Sequence, residues 1–133
     1  MSAAVALLAL RLWVGLNFAF AHGLGKVRDP QAFLDSPGVQ RFPMHEVLGA
    51  FAMLSEFAGG LLLAIGLFTR AAAGVIALTM LGAAFVVHAS DPWGRKEFAL
   101  TYAVACLMLV VMGGGRFALD RRLAARRRRQ SPW

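Results

Sequence analysis

The chain has 133 residues, 59% of them hydrophobic, with a mean hydropathy of +0.62 and a formal charge of +7. Soluble domains average about 45–50% apolar residues, and the excess here gathers into long runs, so a soluble globular fold is excluded in favour of a membrane protein. Cys106 is the only cysteine, which rules out an internal disulfide and self-contained dithiol chemistry.

The first run, about residues 3–21, contains Arg11 and Asn17. Its Ala19-Phe20-Ala21 end resembles a signal cleavage site. However, no basic residue precedes the run and Arg11 sits in its middle, so it reads as a retained helix. Residues 22–46 follow as an outer loop with Pro30, Pro37 and Pro43. Within it, Gln31 to Leu34 is predicted to form a short interfacial helix, capped by Asp29 with Pro30 in the first turn. The second run covers about 47–68 and includes Ser55 and Glu56, and the third covers about 71–88. The short Thr69-Arg70 connection makes these two an antiparallel hairpin. Asp91-Pro92-Trp93-Gly94 reads as a turn with an interfacial tryptophan. The fourth run, about 98–112, ends in Gly113-Gly114-Gly115, and an arginine-rich tail occupies 121–133. The predicted fold is all-α: a transmembrane four-helix bundle.

Seven of the 14 basic residues lie from Arg116 onward. With four spans, Arg70 and those seven arginines share one side, against Lys26, Arg28, Arg41, Arg95 and Lys96 on the other. The excess of basic residues places both termini in the cytoplasm, with the tail at the anionic headgroups of the bilayer. No folded soluble domain accompanies the tail, so nucleic acid is not an expected partner.

Small residues mark where helices meet without hydrophobic drive from water. Gly15, Ala19 and Gly23 recur every four positions on the first helix, the second has Gly60 and Ala64, and the third has Gly74 and Gly82. The halves also echo each other. Ala-Phe-Ala-His22 precedes Asp29-Pro30, and Ala-Phe-Val-Val-His88 precedes Asp91-Pro92, the pattern of a duplicated helical hairpin.

Ionisable groups within the bilayer are rare because each costs at least ~2.5–3.5 kcal/mol at mid-depth. At 1.5 Å per residue, Arg11 lies roughly 12 Å from the inner end of its helix and Glu56 roughly 13–14 Å from the outer end of its own. Both depths fall near the centre of a core about 30 Å thick, so a facing Arg11–Glu56 pair is expected. It serves equally as a packing clamp or as a ligand or proton site. A second cluster of His22, Lys26, His88, Asp91 and Glu97 falls toward the outer side. It either converges on one vestibule with histidines that exchange protons near neutral pH, or simply holds interfacial histidines satisfied by water and loop carbonyls, the plainer of the two readings. No HxxxH or HExxH spacing is present, so no metal site is expected.

These residues resemble the DoxX family. The resemblance rests on Arg11, on His22-Gly23-x-x-Lys26, and on Glu56-x-x-Gly59-Gly60-x-x-Leu63-x-x-Gly66-x-x-Thr69-Arg70. It continues through His88, Glu97, Tyr102, Gly113-x-Gly115 and Leu119-Asp120. The resemblance implies a small multi-pass bundle of four helices in the bacterial inner membrane, with Arg11, His22, Lys26, Glu56, Arg70, His88 and Glu97 as its polar interior. It also implies a link to quinol oxidase and thiosulfate:quinone oxidoreduction systems, without assigned catalytic roles.

The leading expectation is a protein that is not catalytic alone. It binds a small amphiphile, with a quinone as the candidate, through Arg11, Glu56, His22, Lys26, His88 and Glu97, as an accessory to membrane redox subunits. Small-solute transport by a homo-oligomer and a structural or assembly role without ligand are the alternatives. Haem ranks below all three.

Overall fold

The computed structural model describes residues 2–130, with side chains described through Arg126. All regular elements among the described residues are helical. Helix α1 spans Ala3–Arg28, α2 Pro30–Leu34, α3 His45–Ile65, α4 Thr69–Val87, α5 Trp93–Met112 and α6 Leu119–Gln130. Of the arginine-rich segment, residues 131–133 and the side chains of 127–130 lie outside the described residues.

Three helices, α1, α3 and α4, are long and apolar enough to cross a membrane. Helix α5 differs because its first five residues include Arg95, Lys96 and Glu97, leaving an uncharged stretch of roughly 22 Å from Phe98 to Met112. Apolar side chains cover the outside. Leu54, Leu78, Phe85 and Val111 are exposed, Val111 to 74%, as expected of surfaces that meet hydrocarbon.

Helix α1 runs past its expected end to Arg28, through a π-helical stretch at Asn17–Gly23. The wider turns rotate everything that follows, so Lys26 does not point where a straight α-helix would aim it. Asp29 and Pro30 end the helix, because the residue before proline is pushed out of the α region. As predicted, the Asp29 carboxylate caps α2 by accepting from the Ala32 amide at 3.1 Å. The segment between α1 and α3 does not hang free as a loop. Helix α2 and the 3-10 turn Val39–Arg41 fold back onto the start of α3, where Leu34 and Val39 lie against Gly49.

Helix α4 also ends in π-helical turns, Ala83–Val87, just before His88. The sequence echo between the two halves therefore has a matching backbone feature.

The small-residue stripe sets the register of α1 on α3. A Cβ added to Gly15 would lie 2.6 Å from the Ala64 amide nitrogen and the Gly60 carbonyl oxygen, distances that real Cβ atoms essentially never show. The two backbones touch, and Gly60 meets Ala19 in the same way. The glycines of α4 bring no second backbone so close: a Cβ on Gly74 would find only Val110 at 3.9 Å, and one on Gly82 would meet the Phe42 ring at 3.3 Å. There the contact with α5 is made by Ala72, Ala73, Ile76 and Ala77 facing Ala99, Ala103, Cys106 and Leu109, all buried. Between α3 and α4, the Ser55 and Thr79 hydroxyls share a 2.7 Å hydrogen bond.

Candidate functional site

Arg11 and Glu56 do not meet, contrary to the expected facing pair. The α1–α3 register explains the difference. Because Gly15 seats against Gly60 and Ala64, Arg11 comes level with Ala64, about 12 Å of helix rise from Glu56.

Arg11 is 2% exposed and donates to three carbonyls: from Nε to Ala64 at 3.2 Å, from Nη1 to Gly114 at 2.9 Å, and from Nη2 to Phe117 at 3.5 Å. It thereby ties the C-terminal end of α3, where carbonyls lack helical partners and the dipole is negative, to the glycine turn after α5. Gly66, in the left-handed region at φ 76°, closes α3 and lets the guanidinium approach. Asp120 completes this knot by accepting from the Phe68 and Thr69 amides at 2.7 and 2.9 Å, which caps α4. Burial pulls the Asp120 carboxyl upward. The Thr69 and Phe68 amides, with the Arg11 charge, outweigh that effect and hold it below the usual carboxylate range. Arg70 stands apart from these contacts and donates to the Val111 carbonyl at 3.3 Å.

Glu56 pairs instead with Lys26, carried in by the extra length of α1. Lys26 Nζ donates to both carboxylate oxygens, at 2.6 and 2.5 Å, with Glu56 2% and Lys26 26% exposed. The ammonium also lies 4.6 Å from the centre of the Phe33 ring on α2, a cation–π position. This pair lines a cavity of about 310 Å³, near the lower limit for small-molecule sites. Phe33, Val39 and Phe42 from the folded-back segment roof it. Ala52, Thr79, Gly82 and Ala83 from α3 and α4 form its walls. Leu48, Phe51 and Leu78 line it and are also exposed on the apolar exterior. The cavity therefore has a polar end at Lys26–Glu56 and an opening toward hydrocarbon.

The expected single outer vestibule is divided. The His22 ring sits among aromatics, 5.6 Å from Phe18, 5.5 Å from Phe98 and 6.4 Å from Tyr102, and does not line the cavity. His88 faces the Asp91 carboxylate at 2.7 Å, and Arg95 donates to the same oxygen at 3.2 Å. The His88 hydrogen bond is the main force holding the Asp91 carboxyl below its ordinary range; slight desolvation opposes it and Arg95 adds to it. Glu97 is exposed near the start of α5, and among the described residues its carboxylate makes no hydrogen bond. Of the six expected ligand residues, Lys26 and Glu56 alone share the cavity. No group of three metal-ligating side chains occurs among the described residues.

Phe33, Val39 and Phe42 were missed as cavity residues. Their signal was present as isolated apolar residues in a proline-rich connecting segment, where solvent exposure would serve no purpose.

The sequence model of the DoxX family matches residues 6–89, a span that includes Arg11, Lys26, Glu56 and the cavity walls. The chain belongs to the DoxX family. This DoxX protein is 34% identical over 117 residues to a Bacillus subtilis protein named "Putative oxidoreductase CatD", covering 85% of this chain and 83% of the relative. It is 33% identical over 119 residues to an uncharacterised Haemophilus influenzae protein, covering 84% and 85% respectively. No solved structure matches it.

Proposed function

We propose that this DoxX protein crosses the bacterial inner membrane four times, with both termini cytoplasmic, and binds the head group of a small amphiphile in the Lys26–Glu56 cavity. The observation that carries this reading is a buried carboxylate–ammonium pair at the end of an otherwise apolar cavity whose mouth is lined by lipid-facing side chains. A quinone suits that chemistry. Its ring matches the Phe33–Phe42 roof, one carbonyl oxygen can take a hydrogen bond from the Lys26 ammonium, and its apolar tail can leave past Leu48, Phe51 and Leu78.

The name of the Bacillus relative points toward redox chemistry. The pair itself offers proton exchange and hydrogen bonding rather than electron transfer, which favours an accessory role beside a redox subunit. The fourth span is supported by the packing of α5 along α4, with its charges confined to one end. The excess of arginines on the side of the termini supports the orientation.

The test is mass spectrometry of the small molecules that co-purify with the full chain in nanodiscs made from native membrane. Glu56→Gln and Lys26→Met are expected to lose a quinone that the parent and His88→Ala retain. Identical extracts from all four proteins overturn the reading.

A further inference from the structure

A second site lies outside the cavity and stands independently of it. Arg116, in the turn after α5, and Arg121 and Arg122, in the first turns of α6, line an open groove of about 460 Å³ together with Ala125. No carboxylate lines this groove, and none of the three arginines forms an ion pair among the described residues. The acidic residue nearest in sequence is Asp120, but both its oxygens are engaged by the Phe68 and Thr69 amides. Three like charges facing one concavity repel one another, and an anion seated among them relieves that repulsion.

The surroundings indicate which anion. Phe117, next to Arg116 in the chain, is exposed, and the Arg116 guanidinium carbon sits 5.6 Å from its ring centre; Val111 and Met112, which end α5 just before the glycine turn that leads to Arg116, are exposed apolar side chains as well. Arginines thus follow directly on an apolar belt along the chain, the order in which charged side chains occur where hydrocarbon gives way to headgroups. A soluble anion or a nucleic acid would match the charge but leave the apolar belt unused.

We propose that the groove of Arg116, Arg121 and Arg122 binds the phosphate of an anionic phospholipid, whose acyl chains lie along Val111, Met112 and Phe117. Guanidinium forks match phosphate oxygens in geometry as well as charge. The bound lipid would anchor α6 to the surface of the leaflet on the side of the termini.

The experiment is native mass spectrometry of the full chain in neutral detergent, titrated separately with phosphatidylglycerol, phosphatidylcholine, inorganic phosphate and polyuridylate. Phosphatidylglycerol is expected to bind in preference to phosphatidylcholine. R116Q/R121Q/R122Q is expected to weaken it by roughly fivefold per arginine, on the order of a hundredfold in all. R126Q, outside the groove, is expected to weaken binding less than any single groove variant does. Should the triple variant fail to fold, the singles R116Q and R122Q carry the test, each expected to show its own roughly fivefold loss. The proposal is overturned if phosphatidylcholine binds equally, if the groove variants keep parental affinity, or if phosphate or polyuridylate binds as tightly as phosphatidylglycerol. Each of these outcomes points respectively to a nonspecific lipid surface, another site, or a soluble or nucleic-acid ligand.

Discussion

Replacing Lys26 by methionine isolates what the buried pair contributes. The substitution keeps most of the aliphatic stem but leaves the Glu56 carboxylate, 2% exposed, without its ammonium. Removing one partner of a buried ion pair costs about 3–5 kcal/mol, because the remaining charge is desolvated and uncompensated. Lys26 is itself 26% exposed, so part of its charge is already screened, and the expected loss falls toward ~2–3 kcal/mol. Glu56→Gln keeps the shape, removes the charge and leaves a partly solvated lysine, so it should cost less, about 1–2 kcal/mol. The double variant K26M/E56Q has no buried charge and should recover most of the loss, as paired replacements often do. Reversible unfolding in detergent micelles, followed by circular dichroism, gives all three values as a double-mutant cycle. A K26M cost below about 0.5 kcal/mol, or a double variant as unstable as the sum of the singles, would refute the pairing and the argument built on it.

Arg11→Lys should destabilise the chain by about 2–4 kcal/mol, since an ammonium cannot reproduce the fork that reaches three carbonyls. Ligand retention at the cavity should survive in whatever fraction stays folded, separating the clamp from the site by melting temperature and extract analysis. Gly60→Ala should disrupt the α1–α3 crossing by 1–3 kcal/mol or more, an order-of-magnitude value for overpacking. Gly25→Ala, which has nothing within 4 Å of the new methyl, should be tolerated in the same melting assay. The Asp120 carboxyl is held below its ordinary range when folded. Its contribution to stability is therefore complete above the unfolded value of about 3.9 and disappears as pH falls through the lower folded value. D120N should be less stable than the parent at neutral pH, and the difference should shrink in melts taken below about pH 4.

Much of the local structure was legible in the chain itself. Apolar runs marked the helices, Asp29-Pro30 marked the cap of α2, and the Gly15, Ala19, Gly60 and Ala64 stripe marked the face where α1 meets α3. These features depend on neighbours within a few residues, or on a repeat that one helix displays alone. The partners of Arg11 and Glu56 were not legible in this way. Depth was counted from the ends of each helix separately, whereas α1 and α3 are staggered, with Gly15 seated on Gly60 and Ala64 so that Arg11 comes level with Ala64. Lys26 reaches Glu56 because α1 continues through π-helical turns to Arg28 rather than stopping near residue 21. Likewise, the isolated apolar residues Phe33, Val39 and Phe42 hint at burial, but nothing local names α3 and α4 as the surface they cover.

By itself, then, the sequence determined a membrane protein, its main helices, its arginine-rich C-terminal end and the buried charges that required partners. The tertiary structure alone decided which partner each charge took. Close contact of glycine backbones locks the α1–α3 register, and that register carries Arg11 to the carbonyls at the end of α3 and brings Lys26 onto Glu56.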